Sequence, residues 1–283
     1  MRYRSFDPGP RLAPHVECFW TLADPSPAAR EPEPVWPDGC LELIVHLGRP
    51  FRALDGEASR EQPRAMLVGQ LLGPLHLAPQ GAVATFGVRF RPGGARAFFG
   101  FPLDEIAGAW VPLDALWGAD AARFVGALGD APDDRARARV ARATLEHRLD
   151  CTRHAILRAT SAADGIDAAI ARVLATRGAL PIGALADEIG WGARRLERRF
   201  QADVGVTPKT FARIVRFQSL LARLPERDPD WVALALDVGF FDQSHLIADV
   251  RALSGATPTA LATAQGLAAT FTARDRIAAY FAG

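Results

Sequence analysis

Four guanidinium groups stand within six residues, at Arg194, Arg195, Arg198 and Arg199. On a helix the i, i+4 spacing turns Arg194 and Arg198 to one face, with Arg195 and Arg199 beside it. A forked guanidinium there pairs best with guanine O6 and N7, or with phosphate oxygens. Leu196 and Phe200, also i and i+4, form an opposing apolar face for a core. About fifty residues on, Gln243, Ser244 and Ile247 take comparable places, and a glutamine amide suits the adenine edge. Base-edge contact is therefore assigned to Arg194, Arg195, Arg198, Gln243, Ser244 and Ile247. Phosphate contact is assigned to Arg199, Lys209, Arg213, His245 and Arg251. A solvated basic helix face is the bland alternative. His245 can equally serve a structural role, and Asp242 fits the N-cap of the second recognition helix.

The elements that position these groups are written twice. Leu185-Ala186-Asp187-Glu188-Ile189-Gly190 returns as Leu234-Ala235-Leu236-Asp237-Val238-Gly239, and Gly205-Val206-Thr207-Pro208 as Gly255-Ala256-Thr257-Pro258. The offset is 49 at the first glycines and 50 from Leu196/Leu246 onward, which places a one-residue insertion in the turn. A short apolar-faced helix, a glycine turn and a second helix closing in Gly-x-Thr-Pro read as a helix-turn-helix, here in two copies. Pro181 opens a supporting helix Ile182 to Ile189, and Ala193 to Asp203 is the first recognition helix. The stretch from Pro208 to about Leu224 reads as a long joining helix. Its length of roughly 25 Å holds two recognition helices close to one DNA turn apart, about 34 Å.

Residues Asp164 to Leu261 resemble the DNA-binding domain of AraC/XylS-type transcription regulators. The resemblance rests on Arg195-Leu196-Glu197-Arg198-Arg199-Phe200, Gly239-Phe240-Phe241-Asp242-Gln243-Ser244-His245-Leu246 and the two Gly-x-Thr-Pro closures. It implies two helix-turn-helix units in successive major grooves, joined by the long helix. The second copy departs from the pattern where Ala248, Val250 and Arg251 replace a more basic set. Leu180 to Leu224 carries a net +4 and Asp230 to Ala264 a net −3, so the first unit is expected to supply most of the grip. Pro37-Asp38-Gly39-Cys40-Leu41-Glu42-Leu43 and Gly87-Val88-Arg89-Phe90-Arg91-Pro92-Gly93-Gly94 also resemble the amino-terminal domain of one branch of that family.

Upstream, short apolar runs at Val16 to Leu22, Leu41 to Leu47, Ala65 to Leu71 and Val83 to Phe90 lie between Gly and Pro signals and read as strands. Helical patterning appears further on, at Ala119 to Leu128 and Asp134 to Leu149. The fold class expected is α+β: a β-rich sandwich or barrel-like domain with flanking helices, then an all-α domain with two helix-turn-helix units. The divisions expected are a β-rich sensory or dimerising domain over 1–150, a linker over 151–163, the double unit over 164–264 and a tail over 265–283. Trp20, Trp36, Glu42, His46 and Arg89 are ligand-pocket candidates, and each reads equally well as core or surface.

Chemistry of other kinds finds little support. His15 and Cys18 form His-x-x-Cys without a second pair at ligand spacing, so neither a metal nor a cofactor is expected. No Gly-x-Ser-x-Gly, phosphate loop or dinucleotide fingerprint occurs, which argues against an enzyme. The net charge of +1 makes bulk charge no guide to nucleic-acid binding. Cys18, Cys40 and Cys151 are few and far apart, with no leader and no long apolar span, so a cytoplasmic protein without membrane contact is expected. Expected partners are double-stranded DNA and a small-molecule effector, with RNA polymerase and a second copy of the chain as further candidates. The rival reading is a small-molecule-binding protein or enzyme whose helical domain has weakened or lost DNA binding.

Overall fold

The computed structural model describes residues 1–26, 31–55, 58–156, 164–224 and 230–262. The amino-terminal strands are β1 (Arg2–Phe6), β2 (Val16–Asp24), β3 (Glu33–Val35), β4 (Glu42–His46), β5 (Arg52–Asp55), β6 (Ala58–Glu61), β7 (Ala65–Val68), β8 (Leu75–Ala78), β9 (Val83–Phe90) and β10 (Trp110–Pro112). They form an antiparallel six-stranded sheet, β1-β2-β9-β4-β7-β10, and a four-stranded sheet, β3-β8-β5-β6.

The period-2 alternation of a strand decides what each side of the larger sheet touches. Leu43, Val45, Phe86, Val88 and Phe90 face a core that includes Phe98, Phe99, Trp117, Phe124 and Leu145. Those last residues come from the Gly94–Ala97 turn region and from α1 (Leu113–Trp117), α2 (Ala119–Asp130) and α3 (Asp134–Ile156). On the other side Trp20, Leu22 and Val83 meet Phe51, just before β5, and Ala53 and Leu77 of the smaller sheet. A sheet covered on both sides explains why Val83–Phe90 is an almost unbroken buried run.

The helical part comprises α4 (Asp164–Ala175), α5 (Ile182–Glu188), α6 (Ala193–Val204), α7 (Pro208–Arg223), α8 (Trp231–Asp237) and α9 (Gln243–Ser254). Two apolar cores share α7. Phe211, Ala212 and Val215 close one around Leu185, Leu196, Phe200 and the α4 residues Ile166, Ile170 and Val173. Ile214, Phe217, Leu220 and Leu221 close the other around Ala235, Leu246, Val250 and Leu253. With 16 residues, α7 is about 24 Å long.

Two differences from the sequence reading have physical causes. Ten strands are described where six or so are expected, because those outside the four apolar runs are short or polar: all four residues of β6 are exposed. The segment expected to begin a linker at 151 is still helical through Ile156, since no glycine or proline interrupts α3 there. The remainder of that segment, 157–163, and the expected tail over 265–283 lie outside the described residues.

Candidate nucleic-acid interface and the adjoining cavity

The two helix-turn-helix units use the same backbone hydrogen bonds. Gly190 N donates to Asp187 O at 3.1 Å and Trp191 N to Ala186 O at 2.9 Å; Gly239 N to Leu236 O and Phe240 N to Ala235 O repeat those lengths 49 residues on. Gly-x-Thr-Pro likewise acquires a mechanism. Gly205 (φ 92) and Gly255 (φ 73) end α6 and α9 in the left-handed conformation. The threonine then caps the next helical turn: Thr207 Oγ1 accepts from Thr210 N at 3.1 Å, and Thr257 Oγ1 from Ala260 N at 3.2 Å.

The groups that the two helices present differ. On α6, Arg194, Arg195 and Arg198 are exposed, while Leu196 and Phe200 are fully buried beneath them. Arg195 lies over the Trp191 ring at 4.5 Å, a cation–π contact that holds it beside the turn. Arg199 turns back to Asp203 at 2.7 Å. Burial pushes the Asp203 carboxyl up, against the pull of Arg199 and Arg96. The N-terminus of α6 has no side-chain cap, so its dipole and its arginines together offer a site for anionic oxygen. Its other end docks on the amino-terminal domain, where Gln70 Nε2 donates to Val204 O at 3.0 Å.

On α9, Gln243 and Ser244 are exposed at the first turn, Ile247 is half-buried against the second core, and Arg251 is exposed near the end. Asp242 caps the helix, its Oδ1 accepting from His245 N at 2.7 Å. His245 packs edge-on to Phe240 and lies 3.4 Å from Asp249. Asp249, buried on α9, also holds Arg213 of α7 at 2.7 Å and approaches Arg216 at 3.8 Å. The acidic residues behind the −3 charge are thus structural in place. Asp230 and Asp242 cap, Asp237 pairs with Arg223, and Asp249 ties α9 to α7. Lys209 is exposed on the first turn of α7. The sequence reading missed Phe241, 85% exposed beside the second turn, although the inserted residue there signals a changed turn.

Trp20, Trp36, Glu42, His46 and Arg89, scattered along the sequence, line one cavity of about 100 Å³ between the two sheets. Alternation brings them inward: Glu42 is paired across strands with Arg89, and His46 with Thr85. Gly87 lies directly opposite Trp20, and a Cβ on it would stand 2.0 Å from that indole, so glycine makes room for the ring. Arg89 is gripped at three nitrogens, Nε by Glu17 at 2.8 Å, Nη1 by Glu42 at 2.8 Å and Nη2 by Asp38 at 2.7 Å. Burial works against the Arg89 charge, but Asp38 and its other anionic neighbours outweigh it and raise the pKa. Burial pushes the Cys40 thiol up and lowers His46 to about 4. The neutral His46 ring fits its partners, with Nε2 donating to Gln62 at 3.1 Å and Nδ1 accepting from Thr85 at 3.4 Å.

The stretch from Trp36 to Cys40 separates this cavity from α7. Trp36 lines the cavity and also meets Phe217 edge-on at 6.2 Å. Pro37 O accepts from Gln218 Nε2 at 2.5 Å, and Gly39 O from Gln70 Nε2 at 2.8 Å. Gly39 has φ +83, and a Cβ on it would lie 2.7 Å from the Phe211 ring, so both its conformation and its neighbour require glycine.

Repeated capping geometry and an exposed arginine face define two helix-turn-helix units, the architecture of a duplex-nucleic-acid-binding domain. Residues 185–264 match the family model of a helix-turn-helix domain, and residues 4–112 match a domain of unknown function (DUF6597). The carboxy-terminal region is an AraC-type helix-turn-helix domain, and the chain is a two-domain DNA-binding transcription regulator. No curated protein matches it. Among solved structures it is similar to ToxT from Vibrio cholerae, with 9% identity and a TM-score of 0.42 over 86% of this chain and 97% of that one. Unsaturated-fatty-acid-bound wild-type ToxT from Vibrio cholerae strain SCE256 gives 10% identity and a TM-score of 0.43, over 88% and 95% of the two chains. Among the described residues no helix is long and apolar enough to cross a membrane.

Proposed function

We propose that the protein holds its DNA site chiefly through α6, with Arg194 and Arg198 reading bases and Arg195 contacting base or phosphate. On α9, Gln243 and Ser244 read the neighbouring groove, and Arg251 and Lys209 meet phosphates. The observation that carries this division is the state of the charges. Arg194, Arg195 and Arg198 stand exposed, whereas Arg199, Arg213 and His245 already face carboxylates of the domain. Those three contribute to phosphate binding only by leaving or sharing their partners.

The amino-terminal domain acts by binding and not by turnover. A small-molecule effector in the cavity changes how α6 and α7 are presented, working in the cytoplasm where the DNA lies. Support comes from the Trp36–Cys40 stretch, whose successive residues touch the cavity on one side and α7 on the other. Selecting bound duplexes from a random pool with the full chain, then titrating salt on the winner, tests the DNA reading. The expected product is an asymmetric site spanning two major grooves, with affinity falling steeply as salt rises. No enrichment, or binding indifferent to salt, rejects it.

A further inference from the structure

The second recognition helix presents an apolar surface where the first presents arginines. At the offset of 50, Arg194 and Arg198 of α6 become Ser244 and Ala248 of α9, both exposed, and Glu197 becomes the half-buried Ile247. The backbone frame is common to both units, with matching turn bonds before each helix and a left-handed glycine after it. The face that offers guanidinium groups on one helix thus offers methyl and methylene groups on the other. Arg251, the exposed arginine of α9, stands more than two turns from the start of the helix.

The residue inserted in the second turn extends that surface. Phe241 stands immediately before the Asp242 cap and is 85% exposed. An apolar residue at that position ordinarily closes on the fourth helical residue as a hydrophobic staple. Here the fourth residue is Leu246, fully buried in the second core, and Phe240 joins it there in place of Phe241. The backbone around Phe241 is nonetheless held: its N donates to His245 Nδ1 at 3.4 Å, and Asp242 Oδ1 accepts from His245 N at 2.7 Å. A largely hydrated phenyl ring contributes little to the core. Its place, at the front of a recognition helix beside Gln243 and Ser244, is where base edges are read.

Of the groups that bases show in the major groove, the thymine 5-methyl is the apolar one, and phenylalanine and alanine side chains suit it. We propose that α9 recognises thymine through that methyl, Phe241 covering one and Ala248, with Ile247 beside it, another, while Gln243 takes an adenine edge. This rests on the reading of α9 in the neighbouring groove and names what it reads there. The site pairs an A·T half with a half in which Arg194 and Arg198 take guanine. Apolar contact supplies affinity without charge, which fits a unit whose net charge of −3 makes its phosphate contact weak.

The test replaces thymine by deoxyuridine, which deletes the methyl and keeps every hydrogen-bonding group. A duplex is selected from a random pool with the full chain, and each of its thymines is then exchanged in turn. One or two exchanges, in the half whose preference Arg198→Ala leaves intact, are expected to weaken binding about fourfold each. Phe241→Ala should bind the thymine duplex about fourfold more weakly and no longer distinguish thymine from deoxyuridine at one of those positions. Phe241→Leu, which keeps an apolar side chain, should retain the distinction. Binding indifferent to every exchange overturns the proposal, and so does a distinction that persists undiminished in Phe241→Ala. If Phe241→Ala binds both duplexes as the parent does, Phe241 belongs with the exposed Val232 and Leu236 of α8 to a protein-facing surface, and the proposal fails. Failure to enrich any duplex rejects the regulator reading, and this proposal with it.

Discussion

Aligned at the offset of 50, the outward positions of the two recognition helices diverge while the inward ones hold. Leu196 faces Leu246 in the alignment, and both are fully buried; Arg194, Arg195, Arg198 and Arg199 become Ser244, His245, Ala248 and Asp249. The first helix keeps arginines at an uncapped N-terminus, where the helix dipole opposes cations by about 0.3 to 1 kcal/mol each. The second has an Asp242 cap and spends its acid at Asp249 on tying itself to α7. One framework thus serves two purposes: the first unit accepts local strain to present charge, and the second puts its charge into its own stability.

The sharpest way to break this comparison is Asp249→Ala. Removing the buried acid leaves Arg213, Arg216 and His245 facing an emptied site, and a loss of about 3 to 5 kcal/mol is expected in denaturant unfolding. Stability within about 1 kcal/mol of the parent would show that Asp249 is not structural and is free to repel phosphate. The amino-terminal domain offers a contrast in pH. Because the His46 pKa is depressed from 6.5 to about 4, the unfolded chain binds the extra proton as pH falls below 6.5. Stability should therefore decline from pH 6.5 toward 4, by about 3 kcal/mol in full, and His46→Gln should flatten that part of a thermal-melt profile. An identical slope in the variant assigns the effect elsewhere.

Smaller effects concern DNA. Neutralising Arg194, Arg195 and Arg198 together should reduce the slope of log affinity against log salt by up to about 2.7, against about 0.9 or less for Arg251→Ala. A larger change from Arg251 alone reverses the assignment of grip to the first unit. Arg198→Ala by itself is expected to relax preference at one base position by about 1 to 3 kcal/mol. A uniform loss over all sequences moves Arg198 to the phosphate-contact set. Last, Asp242→Ala should cost about 1 kcal/mol of stability through the lost cap, while no comparable substitution exists for α6, whose cap is Gly192.

The repeat was legible because local chemistry is sufficient for it. Glycine in the left-handed region, threonine as an N-cap, proline in a first turn and leucines at helical spacing each act within a few residues. The strand edges were less legible. β6 has no buried residue and β1 reads Arg-Tyr-Arg-Ser-Phe, so pairing with the adjoining strand, and not their own patterns, makes them strands. Trp20, Trp36, Glu42, His46 and Arg89 could be picked out as residue types suited to a pocket, but nothing local joined them. Asp38 and Glu17, which complete the grip on Arg89, were not picked at all.

By itself the sequence determined the doubled helix-turn-helix, its caps and the exposed arginine face, since these depend on neighbours within one or two helical turns. Tertiary structure alone decided which charges are free. Asp249 engages Arg213, and Asp38, Glu17 and Glu42 meet on Arg89, only because the fold brings those segments within hydrogen-bonding distance. A charge counted along a chain has no partner; burial and register assign one, and with it the difference between a group that meets DNA and a group that holds the fold.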